Sequence, residues 1–126
     1  MKRNIVGWFE IPVTDIARAK KFYEGILSVT LTLNDLGLLK MALFPSEEGP
    51  GASGSLVQFE QVYKPSHDGV LIYFTSPSGD LANEEERIPG FGGKVLIPKR
   101  LISEEMGYMD LFEDTEGNRI ALHSNK

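Results

Sequence analysis

Ile5 to Pro12 predicts a strand, for from Trp8 onward the residues alternate in side, with Trp8, Glu10 and Pro12 on one side and Phe9, Ile11 and Val13 on the other. That is the period of a strand. Asp15 breaks it and is placed to cap a helix, its carboxylate accepting backbone N–H bonds from the first turn. The apolar spacing then becomes Ile16, Ala19, Phe22, Tyr23, Ile26 and Leu27. These steps of three and four make one stripe and predict a helix from Asp15 to Leu27. Val29 to Leu33, rich in β-branched residues, predicts a strand. A turn at Asn34 to Gly37 leads to a third strand, Leu38 to Phe44. Ser46 to Gly54 is a loop by its density of glycine and proline. Ser55 to Tyr63 alternates again and predicts a fourth strand.

Lys64 to Asp68 reads as a linker, because the order of elements restarts beyond it. Gly69 to Thr75 predicts a strand. Asp80 caps a second helix that reaches about Ile88, and Pro89-Gly90 ends it. Short strands are predicted at Lys94 to Ile97, Gly107 to Glu113 and Arg119 to Ser124, with a tight turn at Asp114 to Asn118. The order strand, helix, strand, strand, strand therefore occurs twice, and such a repeat governs how local motifs are interpreted. The pattern predicts an α+β fold: two tandem βαβββ modules, residues 1–64 and 69–126, in a single domain. Their curved mixed sheet has one face covered by helices and the other enclosing a central trough. A trough of that kind is a natural small-molecule site.

Composition narrows the classes. The 126 residues suffice for one core. The net charge is −5, and Lys and Arg form no concentrated patch, which argues against nucleic acid as a partner. No apolar run has the length of a membrane span. Lys2 and Arg3 are followed by Trp8, Glu10 and Asp15 rather than the apolar core of a secretory leader. The chain has no cysteine, so disulfides, thiolate metal sites and cysteine nucleophiles are excluded, and a cytoplasmic setting is expected.

Three stretches carry a resemblance to a known family. FEIPVTDIARAKKFYEGIL is similar to the opening strand, Asp cap and helix of the glyoxalase I, bleomycin-resistance and extradiol dioxygenase superfamily, the vicinal oxygen chelate fold. GYMDLFEDTEGNRIALHS resembles its closing strand pair, and GFGGKVLIPK resembles the approach to its sixth strand. Within that superfamily the chain looks closest to the lactoylglutathione-lyase-related group. The resemblance implies a homodimer and a divalent cation held by one ligand on each of the first, fourth, fifth and eighth strands. Carried onto this sequence, those positions fall on Trp8, Gln58, Val70 and Ala121. Indole, isopropyl and methyl groups offer no lone pair, so the inherited metal site is expected to be missing.

A second set of polar residues, Glu10, Glu60 and His123, lies one strand period from Trp8, Gln58 and Ala121, and is expected on the same face. They could hold a displaced metal, or Glu10 and His123 could serve as general base and acid. The bland alternatives are wet strand ends for Glu60 and His123, and a structural carboxylate for Glu10. Phe74 rather than Tyr73 is expected to see the trough, by analogy with Val70. Phe22 and Tyr23 read as core, His67 as solvated, and Glu84 to Glu86 as the wet face of the second helix. Three functions follow, in this order. The first is a metal-free binder of a small, partly apolar molecule, with no cofactor. The second is a glyoxalase- or dioxygenase-type enzyme with a displaced divalent metal. The third is a metal-free acid/base enzyme.

Overall fold

The computed structural model describes residues 4–126; Lys2 and Arg3 lie outside the described residues. The elements are β1 (Phe9–Pro12), α1 (Ile16–Leu27), β2 (Thr32–Asp35), β3 (Lys40–Leu43), β4 (Gly54–Gln58), β5 (Tyr73–Thr75), α2 (Leu81–Arg87), β6 (Lys94–Ser103), β7 (Gly107–Glu113) and β8 (Arg119–Ser124), with a 3-10 turn at Pro89–Phe91 after α2. Two modules of the expected order are present. They form two four-stranded sheets, β1-β4-β3-β2 and β5-β8-β7-β6, each with one parallel pair and otherwise antiparallel. Each module thus contributes its own mixed sheet, as the α+β, two-module reading requires. β1 and β5 are edge strands, and among the described residues no ladder joins them.

Helix α1 forms where the stripe placed it. Asp15 Oδ1 accepts from the Arg18 N–H at 3.1 Å, and the buried residues are the six of the stripe. These pack on Ile11, Ala42 and Leu56 of the first sheet, on Val13 just after β1, and on Phe112, Ile120 and Leu122 of the second, giving one core shared by both modules. At the seam the rings of Phe9 and Phe74 meet edge to face at 5.6 Å, with Phe44 at 5.3 Å from Phe74 and Tyr23 at 5.8 Å. Apolar burial of this size is the main stabilising term. Phe74 thus packs into this aromatic seam and also lines the trough cavity, as expected, but Tyr73 beside it lines the cavity too. Residues 69–72 are not strand, so alternation from Val70 does not exclude Tyr73 from the trough.

Other boundaries moved for local reasons. β4 stops at Gln58, and residues 59–63 form a turn in which the Val62 and Tyr63 N–H groups donate to the Phe59 carbonyl. β6 continues to Ser103 instead of stopping at Ile97. Its pairing with β7 shifts between Ile97 and Arg100, so Pro98, which has no N–H to give, sits in the irregular stretch. Glu84, read as wet, is buried on α2 and accepts from the Ser76 hydroxyl. His67, read as solvated, lies 2.7 Å from Glu113 Oε2 while staying partly exposed.

The buried Tyr23 hydroxyl donates to Asp114 Oδ2 at 2.6 Å, tying α1 of the first module to the last turn of the second. Asp114 also accepts from the backbone N–H groups of Glu116 and Asn118. Tyr23→Phe removes one donor from a buried carboxylate and should cost about 1–3 kcal/mol, read by urea denaturation.

Candidate functional site

The ladder registers define the face away from the helices. In the first sheet Glu10 is opposite Ser55 and Pro12 opposite Val57, so these share a side with Trp8. In the second, Tyr73 is opposite Ala121, Thr75 opposite His123, and Met109 opposite His123. Directly opposed residues project to the same side of a sheet. Trp8 and Glu10 thus meet Tyr73 and Thr75 across the seam, where they line a cavity of about 1110 Å³. A second recess of about 790 Å³ adjoins it, sharing Tyr73 and Thr75 and extending past His123 to β6.

Glu10 is half-buried in the wall of the seam cavity. Its Oε1 accepts from the Tyr63 hydroxyl at 2.6 Å, and its Oε2 lies 3.4 Å from the Trp8 indole nitrogen. The carboxylate holds the Tyr63 phenol proton in place, which with burial raises the Tyr63 pKa. Tyr63 sits in the turn that ends β4, so this bond pins that turn to the trough wall. Val70 also lines the cavity, 91% exposed, and Phe74 touches it from the core side. Ala121 is fully buried between its neighbours on the trough face. His123 lines the second recess and bonds through Nε2 to the Met106 carbonyl.

Gln58 and Glu60 go elsewhere. Gln58 pairs with Lys40 on the helix side of the sheet, and its Oε1 accepts from the Ile16 N–H at 2.7 Å, capping α1. Register places Ser55, not Gln58, beside Glu10. Glu60 is exposed in the 59–63 turn, because β4 ends before the strand period could carry it to the trough face. Glu10, Glu60 and His123 consequently do not form one cluster: among the described residues no group of three or more His, Cys, Asp or Glu side chains is arranged to hold a cation.

Sequence reasoning did not bring Tyr63 to Glu10 or place Tyr73 and Arg100 on the cavity walls. Tyr63 was assigned to a strand, and nothing local signals its reach to Glu10. Arg100 was recoverable: Arg100 and Ile102 alternate with Lys99 and Leu101 beyond the proline.

Two open four-stranded mixed sheets, backed by two helices and facing a shared trough, define a duplicated βαβββ protein of the α+β class. The chain belongs to the Glyoxalase/Bleomycin resistance protein/Dioxygenase superfamily, whose family profile matches residues 5–122. Among solved structures, the fold is similar to a glyoxalase/bleomycin resistance protein from Albidiferax ferrireducens, at TM-score 0.76 and 16% identity over 98% of this chain and 100% of that one. It is also similar to glyoxalase I from Zea mays, at TM-score 0.66 and 19% identity over 94% of this chain and 45% of that one. The genomically encoded fosfomycin resistance protein FosX from Listeria monocytogenes matches at TM-score 0.68 and 18% identity, over 100% of this chain and 94% of that one. Identities this low speak for the fold alone. No curated protein matches the chain. No helix among the described residues is long and apolar enough to cross a membrane.

The divalent cation that the superfamily implies does not fit the residues at the corresponding positions. Trp8, Val70 and Ala121 lack donor atoms, and the one amide oxygen, that of Gln58, is taken by the Ile16 N–H. A cation of this kind needs several oxygen or nitrogen ligands at about 2 Å.

Proposed function

We propose that this chain is a binder of a small, partly apolar molecule in the trough, working without a metal ion. The observation that carries this reading is the seam cavity itself. Trp8 and Tyr73 line it from opposite sheets, and Glu10, oriented by Tyr63, is a fixed hydrogen-bond acceptor on its wall. A few placed polar groups among apolar walls suit orientation and selectivity in a small-molecule site. Half-exposed aromatic rings on both sides suit a flat or branched apolar ligand. The protein is further read as cytoplasmic and as a homodimer, the latter tested by light scattering of the purified chain.

Trp8 is the sole tryptophan, so its emission reports on the cavity directly. Screening small aromatic and aliphatic compounds should find ligands that shift Trp8 fluorescence and raise the melting temperature, since binding to the native state alone stabilises it. Glu10→Ala should weaken that binding with little change in stability, because Glu10 is only half-buried. A library without effect on either signal would count against the binder. Elemental analysis of protein purified without chelator is expected to show no stoichiometric Ni, Zn, Fe or Mn. A one-to-one metal signal would instead favour an enzyme with a displaced metal site.

A further inference from the structure

We propose that the recess beside His123 takes the acidic head of a small apolar carboxylic acid, with Arg100 as its anchor. This rests on the binding function proposed above and specifies its ligand class.

Arg100 pairs with Met109, Met109 with His123, and His123 with Thr75. These four side chains therefore form one row across β6, β7, β8 and β5, on the trough side. With about 4.8 Å between neighbouring strands, the row is roughly 14 Å long. Arg100 stands at its outer end. Arg100 is in none of the ion pairs among the described residues, so its guanidinium is free for a ligand. No carboxylate lines this recess, although the whole chain carries a net charge of −5. The local charge is thus opposite in sign to that of the molecule, and it favours an anion.

The remaining lining is apolar. Met109 forms a nearly closed floor, while Ile102 and Met106 are 44% and 59% exposed at the sides. Methionine is unbranched and polarisable, so it adapts to varied hydrocarbon shapes. Tyr73 and Thr75, at the far end of the row, also line the seam cavity that Trp8 lines. A ligand with its carboxylate on Arg100 can therefore lay an acyl or aryl tail along the row. Guanidinium suits this role because its planar fork matches both carboxylate oxygens. A single cation at one end selects a monoacid.

The test uses the full chain with octanoate and phenylacetate, and with octanamide and phenylacetamide as neutral partners of the same shape. Calorimetry gives affinities, and amide NMR shifts locate the binding. The acids are expected to perturb Met109, His123 and Thr75 and to bind at least about tenfold more tightly than the amides. Arg100→Gln should bring the acids down to the level of the amides, without changing the melting temperature, because the side chain is exposed. Arg100→Lys should recover part of the loss. Equal binding of acids and amides, or unchanged acid binding in Arg100→Gln, would overturn the proposal. If acids fail while neutral compounds still shift Trp8 emission, the acid-head assignment is wrong and the binding function stands. If no compound shifts Trp8 or the trough resonances, both are wrong.

Discussion

Glu116→Ala is expected to destabilise the protein by about 3 kcal/mol at pH 7 and to remove much of its sensitivity to acid. The Glu116 side chain is completely shielded, and it gathers donors from the other module. The Thr14 N–H, the Thr14 hydroxyl and the Asp15 N–H each donate to Oε1 at 2.9 Å. Arg18 Nε donates to Oε2 at 2.7 Å and Arg18 Nη2 to Oε1 at 2.9 Å. One carboxylate from the β7–β8 turn thus closes the N-terminal end of α1. Its loss strips the buried charge-assisted bonds that join the modules, and bonds of this type contribute about 1.5–3 kcal/mol each before solvation of the freed groups is allowed for. Arg18 is half-exposed and can turn to water, so the total stays well below the sum.

The pH dependence follows from the same contacts. Burial alone would raise the Glu116 pKa, but the donors from Arg18, Thr115, Thr14 and Asp15 outweigh it and hold the carboxyl at about 2. The unfolded carboxyl titrates near 4.5. A depressed folded pKa contributes stability that is complete above about pH 4.5 and is lost as pH falls toward 2. Urea midpoints measured from pH 7 to pH 2.5 should therefore fall more steeply for the native chain than for Glu116→Ala. Parallel curves would show that Glu116 is not the acid-sensitive clamp.

This clamp also marks where the sequence stops being readable. The DTEGN stretch identifies itself as a turn from local chemistry, and Asp114 to Asn118 do close on themselves. That Glu116 reaches Arg18, 98 positions earlier, is a consequence of how the two modules dock, and no local period encodes it. Helix α1 was legible because its stripe, its Asp15 cap and its burial all follow from one spacing. The trough face of β1 was legible for the same reason, and Trp8 and Glu10 line the cavity as their alternation implied. Gln58 and Glu60 went wrong through strand length: Ser55 to Tyr63 alternates well enough to suggest nine strand residues, yet the ladder ends at Gln58. Phe74 does line the cavity, but so does Tyr73, since a three-residue strand gives alternation little to fix. The trough was foreseen more securely than its individual walls, because module order survives boundary errors and side-chain direction does not.

The opposite sign of effect is expected at Asp110, which faces the α2 side of β7. Asp110→Asn should raise stability at pH 8 by about 2 kcal/mol. Asp110 is fully buried, its Oδ1 accepts from the Leu122 N–H at 2.9 Å, and its Oδ2 has no partner among the described residues. Burial is the main cause that pushes its pKa up to about 8, with the Glu85 and Glu84 carboxylates of α2 adding to it against the Leu122 bond. Lys99 cannot neutralise the cluster, because its Nζ is held by Asp80 at 2.8 Å and only its backbone N–H donates to Glu85. Arg87 Nη1 lies 3.9 Å from Glu84, at the margin of an ion pair. Between pH 3.8 and 8 the folded chain keeps a proton on Asp110 that the unfolded chain has released. Stability therefore declines as pH rises through that window and levels off above it. Asparagine keeps an acceptor for Leu122, supplies an N–H toward the neighbouring carboxylates and carries no charge to desolvate. The full linkage would exceed 2 kcal/mol, but relaxation and water entry at a real buried site reduce it. Denaturation from pH 5 to pH 9 should show the native chain weakening and Asp110→Asn staying nearly flat over that part of the range. A variant less stable than the native chain at pH 8 would mean that the Asp110 carboxylate is held by a compensating partner, and that α2 is docked by charge rather than by the packing of Leu81 and Ile88.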